Sequence, residues 1–459
     1  MRRRSRNDQI KKNNESGHAV ILFTRVPEAG RVKTRMMPYF TGEECRELQE
    51  SFLFDIRSAL KSSGADVIVC YDGGDGDPGA LRRLFGRKTE YVAQSGKDLG
   101  ERMLNAFSYA FGRGYTSCLL MGSDIPEVKS EELNEAFDIL KHKDVVIGPS
   151  DDGGYWLIGM NNAQRCLFGD REYSHGNVLE ELITTADAEG LSYALAAEHS
   201  DMDTPGDLAA YRSRMRSDAL LRRSRTGRYL RDHMKISLIM PVYNEITTID
   251  AMIAQLERLR GSMEIIIADG GSVDGTCGRI PGNFTVLHTG KGRAVQMNEA
   301  AAAAHGDVLF FLHCDSELPA DPAGEIRRVM SEYEAGCFGV AFHSGHFFML
   351  TNRVISNMRA KHHRIMFGDQ GIFMTRELFD RAGGFPEIPI MEDYQLSLTL
   401  RDLGVSTGMT KHRIYTSDRR YPKRTIPMLR LMAGMYRLRR EYKAGRPPEE
   451  IAAEYKDIR

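Results

Sequence analysis

ISLIMPVYNE, residues 236–245, runs through a block of apolar, partly β-branched residues and stops at proline, asparagine and glutamate. Short, apolar and closed by turn residues, it reads as a strand with polar groups at its carboxyl end. Its place in the chain decides the fold. AVILF (19–23) has already opened one series of such strands, continued by DVIVCY (66–71), SCLLMG (117–122) and DVVIG (144–148). After ISLIMPVYNE the series restarts with EIIIADGG (264–271) and DVLFFLHCD (307–315). Between strands lie helical patterns: EECRELQESFLFDIRSAL puts Leu48, Phe52, Leu53, Ile56 and Leu60 on one stripe, and TTIDAMIAQLERL follows the restart. Strands alternating with helices predict a mostly parallel, doubly wound sheet. Two series predict two Rossmann-like α/β domains.

The chain has 459 residues, too many for one ordinary domain. Its 62 basic and 63 acidic residues nearly cancel, so no global field recommends nucleic acid as a partner. The expected division is a disordered basic tail over 1–16, a first domain over 17–215, a basic linker over 216–234 and a second domain with C-terminal helices over 235–459. The basic start lacks the apolar core of a signal peptide, and no run is long enough to span a bilayer. Seven scattered cysteines without a Cys-x-x-Cys pair suit a reducing compartment, so a cytoplasmic location is expected.

In an open α/β sheet, ligands gather at the carboxyl ends of the strands. The second half carries polar motifs there in order. After PVYNE comes ADGGSVDGT (268–276), whose glycines admit a close ligand while Asp269 can accept from a base imide or a ribose hydroxyl. GKGRAVQMN (290–298) sets cations, Arg293 among them, beside a helix start where phosphates could bind. LFFLHCDSELP (309–319) ends a strand in His313, Asp315 and Glu317, and FGDQGIF (367–373) and IMEDYQLS (390–397) follow. Taken singly, Glu392-Asp393 also reads as a solvated helix N-terminus, Arg419-Arg420 as a surface pair and Gly290–Gly292 as a turn.

As an ordered set over about residues 235–420, PVYNE, DGGSVDGT, GRAVQMNEAA, LHCDSELP, GDQGIF and MEDYQLS resemble the family-2 glycosyltransferases of the GT-A fold. Within that family the set is most similar to the selenodomain-associated or arsenosugar-biosynthesis transferases. The resemblance implies that Glu245 and Asp269 contact the nucleoside, with Pro241 shaping its pocket. It implies that Asp315 binds a metal, Mg or Mn, and that Glu392 and Asp393 bear the base, with Asp393 taking the acceptor proton. Arg419 and Arg420 are the further phosphate contacts it suggests. An Asp-x-Asp is absent, since His313 stands at its first position, and Glu317 is the next acid available as a ligand. Whether His313 coordinates, bonds the ribose or packs stays open.

The first half reads TRVPEAGRVKTRM (24–36) after its first strand, a loop whose small residues and Arg31, Lys33 and Arg35 can cradle a triphosphate. It is not a Walker loop. QSGKDLGERM (94–103), GSDIP (122–126), GPSDDGGYWLIG (148–159) and DMDTPGDL (201–208) follow. Asp201 or Asp203 could instead cap the next helix, and Asp124 could mark a strand-end turn. Together, over about residues 17–215, these motifs resemble the GT-A-like partner "transferase 1" of the same group, whose relatives include molybdopterin, phospholactate and sugar nucleotidyltransferases. That resemblance implies Asp124 and either Asp203 or Asp201 as metal ligands. Gln94 and Gly100 would face the base, and Lys33 and Arg35 the phosphates. The glycine-rich opening of sugar nucleotidyltransferases is shortened here, which leaves nucleotidyl transfer, glycosyl transfer and binding alone as alternatives.

Gly74 to Gly79 spells G-x-G-x-x-G, but Asp75 and Asp77 would repel a pyrophosphate and Pro78 lacks a donor, so a loop is expected. In the C-terminal segment from Thr425, packing on its own domain is preferred over contact with a membrane. The expected function is a bifunctional sugar-nucleotide enzyme. Its second domain transfers a hexosyl-type sugar from a nucleotide donor to a small acceptor, with inversion, and its first handles a nucleoside triphosphate or a related nucleotide. A single active glycosyltransferase carrying a non-catalytic binding domain is the alternative, and homodimer formation is compatible with either.

Overall fold

A strand buried on both faces needs apolar residues at every position, and a sheet covered by helices on both sides supplies that setting. The computed structural model describes residues 17–72, 78–169, 173, 176–344, 346–417 and 425–455. It divides into two units, Met1–Arg214 with Asp218–Tyr229, and Met215–Ser217 with Leu230–Arg459.

The first unit holds β1 (His18–Arg25), β2 (Asp66–Asp72), β3 (Glu90–Ala93), β4 (Ser117–Met121), β5 (Val145–Pro149), β6 (Tyr155–Met160) and β7 (Tyr193–Leu195). Their order across the sheet is β3-β2-β1-β4-β6-β5-β7. All neighbours are parallel except β6, which runs against both β4 and β5. The helix Gly42–Ser63 starts at a capping box, Thr41 with Glu44, and ends at Gly64 in the left-handed region (φ 76). Its predicted stripe, Leu48 to Leu60, is buried.

The second unit repeats this plan with β8 (Ile236–Val242), β9 (Glu264–Asp269), β10 (Thr285–His288), β11 (Val308–Phe311), β12 (Ser316–Glu317), β13 (Ala335–Ala341), β14 (Ile372–Thr375) and β15 (Thr407–Thr416). The order is β10-β9-β8-β11-β14-β13-β15-β12. β14 is the reversed strand, antiparallel to β11 and β13, and β12 pairs antiparallel with the far strand β15. Apart from β12, the two sheets have the same strand order and directions. Each is a mostly parallel α/β sheet flanked by helices, the expected class.

The expected exposed linker, 216–234, is instead helical. The helix Arg225–Asp232 is capped by Asp55, whose carboxylate accepts from the amides of Arg225 (2.9 Å) and Thr226 (2.8 Å). Tyr229 is buried, and its hydroxyl donates to the Glu44 carbonyl. Aromatic and aliphatic residues set among the arginines make this a docking face rather than a spacer. The expected tail, 1–16, and the pair Arg419-Arg420 lie outside the described residues. So does most of the G-x-G-x-x-G stretch, whose last glycine begins a short helix, Gly79–Phe85. All seven cysteines are free thiols, five of them buried.

Candidate active sites

In the first unit β4 ends just before Ser123-Asp124. Ser123 is buried and accepts from Gln49 of the first helix (3.0 Å), which holds this strand end in place. Lys33 has a left-handed backbone (φ 49) and is drawn inward from its loop. Its Nζ donates to Asp124 Oδ1 (2.5 Å), Asp203 Oδ1 (2.9 Å) and the Met202 carbonyl (2.7 Å), and sits 4.7 Å from the centre of the Phe52 ring. The ammonium side chain is 2% exposed and the two carboxylates about 40%. Burial by itself pulls the Lys33 pKa down, but Asp124 and Asp203 together outweigh it and hold the group above its ordinary value.

Lys33, predicted from its loop as a phosphate contact, therefore stands between the two acids predicted as metal ligands. Asp201 is pushed up to about 7, first by burial and then by Asp124, Asp203 and Asp152. Arg35 is exposed, 3.9 Å from Asp203. The following helix, Pro205–Ser217, is capped by Thr204 with Asp207, which leaves the Asp203 carboxylate to Lys33. Gln94 spends its side chain on the Cys70 carbonyl (3.1 Å). Gly100 is buried in the first turn of the helix Leu99–Gly112, where an added Cβ would come within 2.8 Å of the Phe168 carbonyl. Both carry structural tasks in addition to the base contact expected of them. Asp152 went unassigned in the sequence. It lies in a polar turn, accepting from Ser150 Oγ (2.6 Å) and Gly154 N (3.0 Å), and nothing in the GPSDDGGY motif marks it apart from Asp151.

The second unit builds its site from four strand-end loops and one helix. Pro241 sits in β8 opposite Ala268 of β9. The loop after β8 is laced to the loop after β9: Asn244 N donates to Ser272 Oγ, Val273 N to Asn244 Oδ1, and Glu245 N to Thr276 Oγ1, at 2.8–2.9 Å. Asn244 pays for this with a left-handed backbone (φ 54). The Glu245 carboxylate accepts from Thr248 Oγ1 (2.8 Å). Asp269, 2% exposed, accepts from the amides of Gly271 and Ser272. Burial raises its pKa, but bonds from Ser272, Cys277 and Gly271 win and keep the carboxyl below its usual range. Lys291 lies over the Tyr243 ring at 4.6 Å, a cation–π pair that the motif reading did not single out.

The helix Glu392–Asp402 aims the remaining groups. Its N-cap residue, Met391, is left-handed (φ 72) and no side chain caps the end. Ser397 fixes the helix to the neighbouring loop by bonds to both the amide and the carbonyl of Met366 (2.9 Å each). Asp393 then accepts from Gly368 N through Oδ2 and from Tyr394 N through Oδ1, both at 2.7 Å. Burial, followed by the neighbouring Glu392, pushes Asp393 up to about 7 against the pull of Gly368 and Arg293. Glu392 is buried and takes Arg293 Nη1 at 2.9 Å, so this predicted phosphate contact is paired with a carboxylate of the site. Gly368 has no room for a side chain, because a Cβ there would meet His313 Nε2 at 2.5 Å. His313 thus packs against the backbone that holds Asp393. Asp315 follows the end of β11, half-buried, and Glu317 is exposed in β12, its carboxylate accepting from His343 Nε2 at 2.9 Å.

The C-terminal helix Thr425–Lys443 lies on this same side of its own unit. Arg439 stands 5.4 Å from the Phe367 ring centre, and Tyr442 donates to Gln395 (2.8 Å). Among the described residues no helix is long and apolar enough to cross a membrane.

Residues 237–383 match the model of glycosyl transferase family 2, and residues 55–175 match a family described as an uncharacterised protein conserved in bacteria, DUF2064. The chain is 26% identical over 193 residues to a 2-phospho-L-lactate guanylyltransferase of Methanocaldococcus vulcanius, covering 41% of this chain and 82% of that one. A solved structure from Desulfovibrio desulfuricans G20, assigned as a nucleotide-diphospho-sugar transferase, is 33% identical, with 47% of this chain and 94% of that one covered and a TM-score of 0.45. A mannosyltransferase of Pyrobaculum calidifontis, solved with GDP-Man and Mn2+, is 20% identical over 47% of this chain and 66% of its own, at a TM-score of 0.35.

Proposed function

We propose that the second unit, whose residues 237–383 match the model of glycosyl transferase family 2, moves a sugar from a nucleoside-diphosphate donor to the hydroxyl of a small acceptor, with inversion. One observation carries the reading: Asp393, half-buried, is raised to about 7 and gripped through both oxygens by backbone amides. A carboxylate held in that way has a fixed direction and a basicity suited to proton removal near neutral pH. Each oxygen keeps a lone pair for an incoming hydroxyl. Asp393 takes the acceptor proton as the acceptor oxygen attacks the anomeric carbon. The nucleoside diphosphate departs from the opposite face, and the configuration inverts. Arg293 pairs with Glu392, which leaves the Asp393 carboxylate to face the acceptor.

Asp315, with Glu317 the next acid along the chain, would hold Mg2+ or Mn2+ in this unit, and the ion when bound would supply positive charge to the departing diphosphate. Oxygen donors at a strand end suit a hard cation of that kind. Asp269, Glu245 and Pro241 take the nucleoside.

For the first unit we propose nucleotidyl transfer. The guanylyltransferase relatives support a nucleotide substrate. The meeting of Asp124 and Asp203 on one cation supports the chemistry, since Lys33 already occupies a position a cation can fill. A divalent ion on Asp124 and Asp203 would supply charge to the phosphates, while Lys33 moves toward them. The same pairing favours a second reading, in which Lys33 satisfies both acids permanently and the unit binds nucleotide without turnover.

Two assays on the intact chain test these proposals. Nucleoside diphosphate release from a panel of nucleotide-sugars, with the product anomer read by NMR, tests the second unit, and a retained configuration sinks the single-displacement step. Pyrophosphate release from each nucleoside triphosphate with phosphorylated small acids and sugar phosphates tests the first. No pyrophosphate from any pairing favours binding alone.

A further inference from the structure

The end of β9 and the end of β10 meet at Asp269 and His288, which are partners in the parallel register. Cys277, opening the single 3-10 turn Cys277–Arg279 after the glycine-rich loop, comes back to the same place. One ligand atom from each of the three residues lies within 4.8 Å of the others. His288 Nδ1 is 3.5 Å from Asp269 Oδ2, and the Cys277 thiol hydrogen-bonds the same carboxylate.

The turn 270–272 accounts for the amides that Asp269 accepts. It does not account for an imidazole and a thiol converging on that carboxylate from two other segments. Carboxylate, thiol and imidazole together form a donor set of intermediate softness, of the kind that binds Zn2+. The all-oxygen acids Asp315 and Glu317 suit a hard ion instead. Asp269 is deeply buried while the His288 side chain is 76% exposed, so the imidazole can swing to close the small gap and one position stays open to solvent.

We propose that Asp269, Cys277 and His288 form a site for a thiophilic divalent cation of the zinc class, and that occupation of this site excludes the nucleoside. Binding converts the thiol to a thiolate and releases its proton to solvent. The carboxylate and imidazole coordinate through lone pairs, with no change in oxidation state. The exclusion rests on the reading of Asp269 as a nucleoside contact; the metal site does not.

The test titrates the metal-stripped full chain with Co2+ and follows thiolate-to-cobalt charge-transfer absorbance, which oxygen-only sites cannot give. One equivalent is expected. The band disappears in Cys277→Ser, its affinity falls at least tenfold in His288→Ala, and it is unchanged in Asp315→Ala. Of the other six cysteines five are buried and Cys166 is half-buried, so a band that survives Cys277→Ser, or no band at all, overturns the site. Adding free nucleosides, which lack a chelating diphosphate, is expected to bleach the band. A band untouched by every nucleoside overturns the exclusion while leaving the site standing, and sugar transfer in the presence of Mg2+ is assayed separately.

Discussion

The two units end their fourth strand in different company. In the first, β4 delivers Asp124 to an ammonium that the chain itself provides, Lys33, shared with Asp203. In the second, β11 leads to His313, which packs on a loop whose backbone grips a raised carboxylate, Asp393. Apart from β12, strand order and direction are the same on both sides of this difference. The sheet therefore fixes where chemistry happens, at the carboxyl ends around the central strands, and the loops decide which charge is supplied there. One unit keeps a cation among its acids; the other keeps a carboxyl raised toward neutral pH.

The sharpest way to break that contrast is Asp393→Asn. It should lower sugar transfer about a thousandfold while leaving donor binding, read by calorimetry, and every activity of the first unit intact. Near-normal transfer would remove Asp393 from the role of base. Next come the strand-end acids: Asp315→Asn and Asp124→Asn should each cost about a hundredfold in turnover, each in its own unit alone. A loss that crosses from one unit to the other would contradict independent sites.

The pH profile comes third. A base raised to about 7 is ionised only above that value, so kcat should fall about tenfold for each pH unit below it. The stability sign runs the other way. Asp393 and Asp201 hold protons in the folded chain between about pH 4 and 7 that the unfolded chain has released, so folding stability should decrease as pH rises through that window. Asp393→Asn and Asp201→Asn should flatten it in urea melts. The smallest effect belongs to Lys33→Met. Leaving Asp124 and Asp203 without their cation should cost about 1–2 kcal/mol, less than a sealed ion pair because solvent reaches both carboxylates. Added Mg2+ should restore much of it, and no recovery would argue against those acids as a cation site.

The class of fold was legible because β1, β2, β4 and β8, β9, β11 are nearly unbroken apolar runs flanked by amphipathic helices. The reversed strands were not. β6 was hidden inside the motif GPSDDGGYWLIG, and β14 follows a loop read for its polar residues; nothing in an apolar hexamer states its direction. The ordered motifs named their acids, but the partnership of Lys33 with residues 91 and 170 positions away arises from tertiary placement and a left-handed turn. Arg293 was read from its helix start as a phosphate ligand, and only the packing of Glu392 beneath it gives it a carboxylate partner. Cys277 and His288 carried no signal of their own, being a lone cysteine and a lone histidine eleven residues apart.

Among the described residues only four outside glycine adopt a left-handed backbone: Lys33, Asn244, Arg364 and Met391. Three of them hold up the candidate sites. Each costs about 1 kcal/mol that a glycine would return. Replacement of Met391 by glycine is therefore a change that stability screens would reward and that the chemistry would suffer, through a less well aimed Asp393, whereas at Asn244 the lost bond from Val273 N offsets the gain. The sites are the part of this molecule where improved folding and retained function pull apart, and a thermostabilised descendant should be inspected at those positions first.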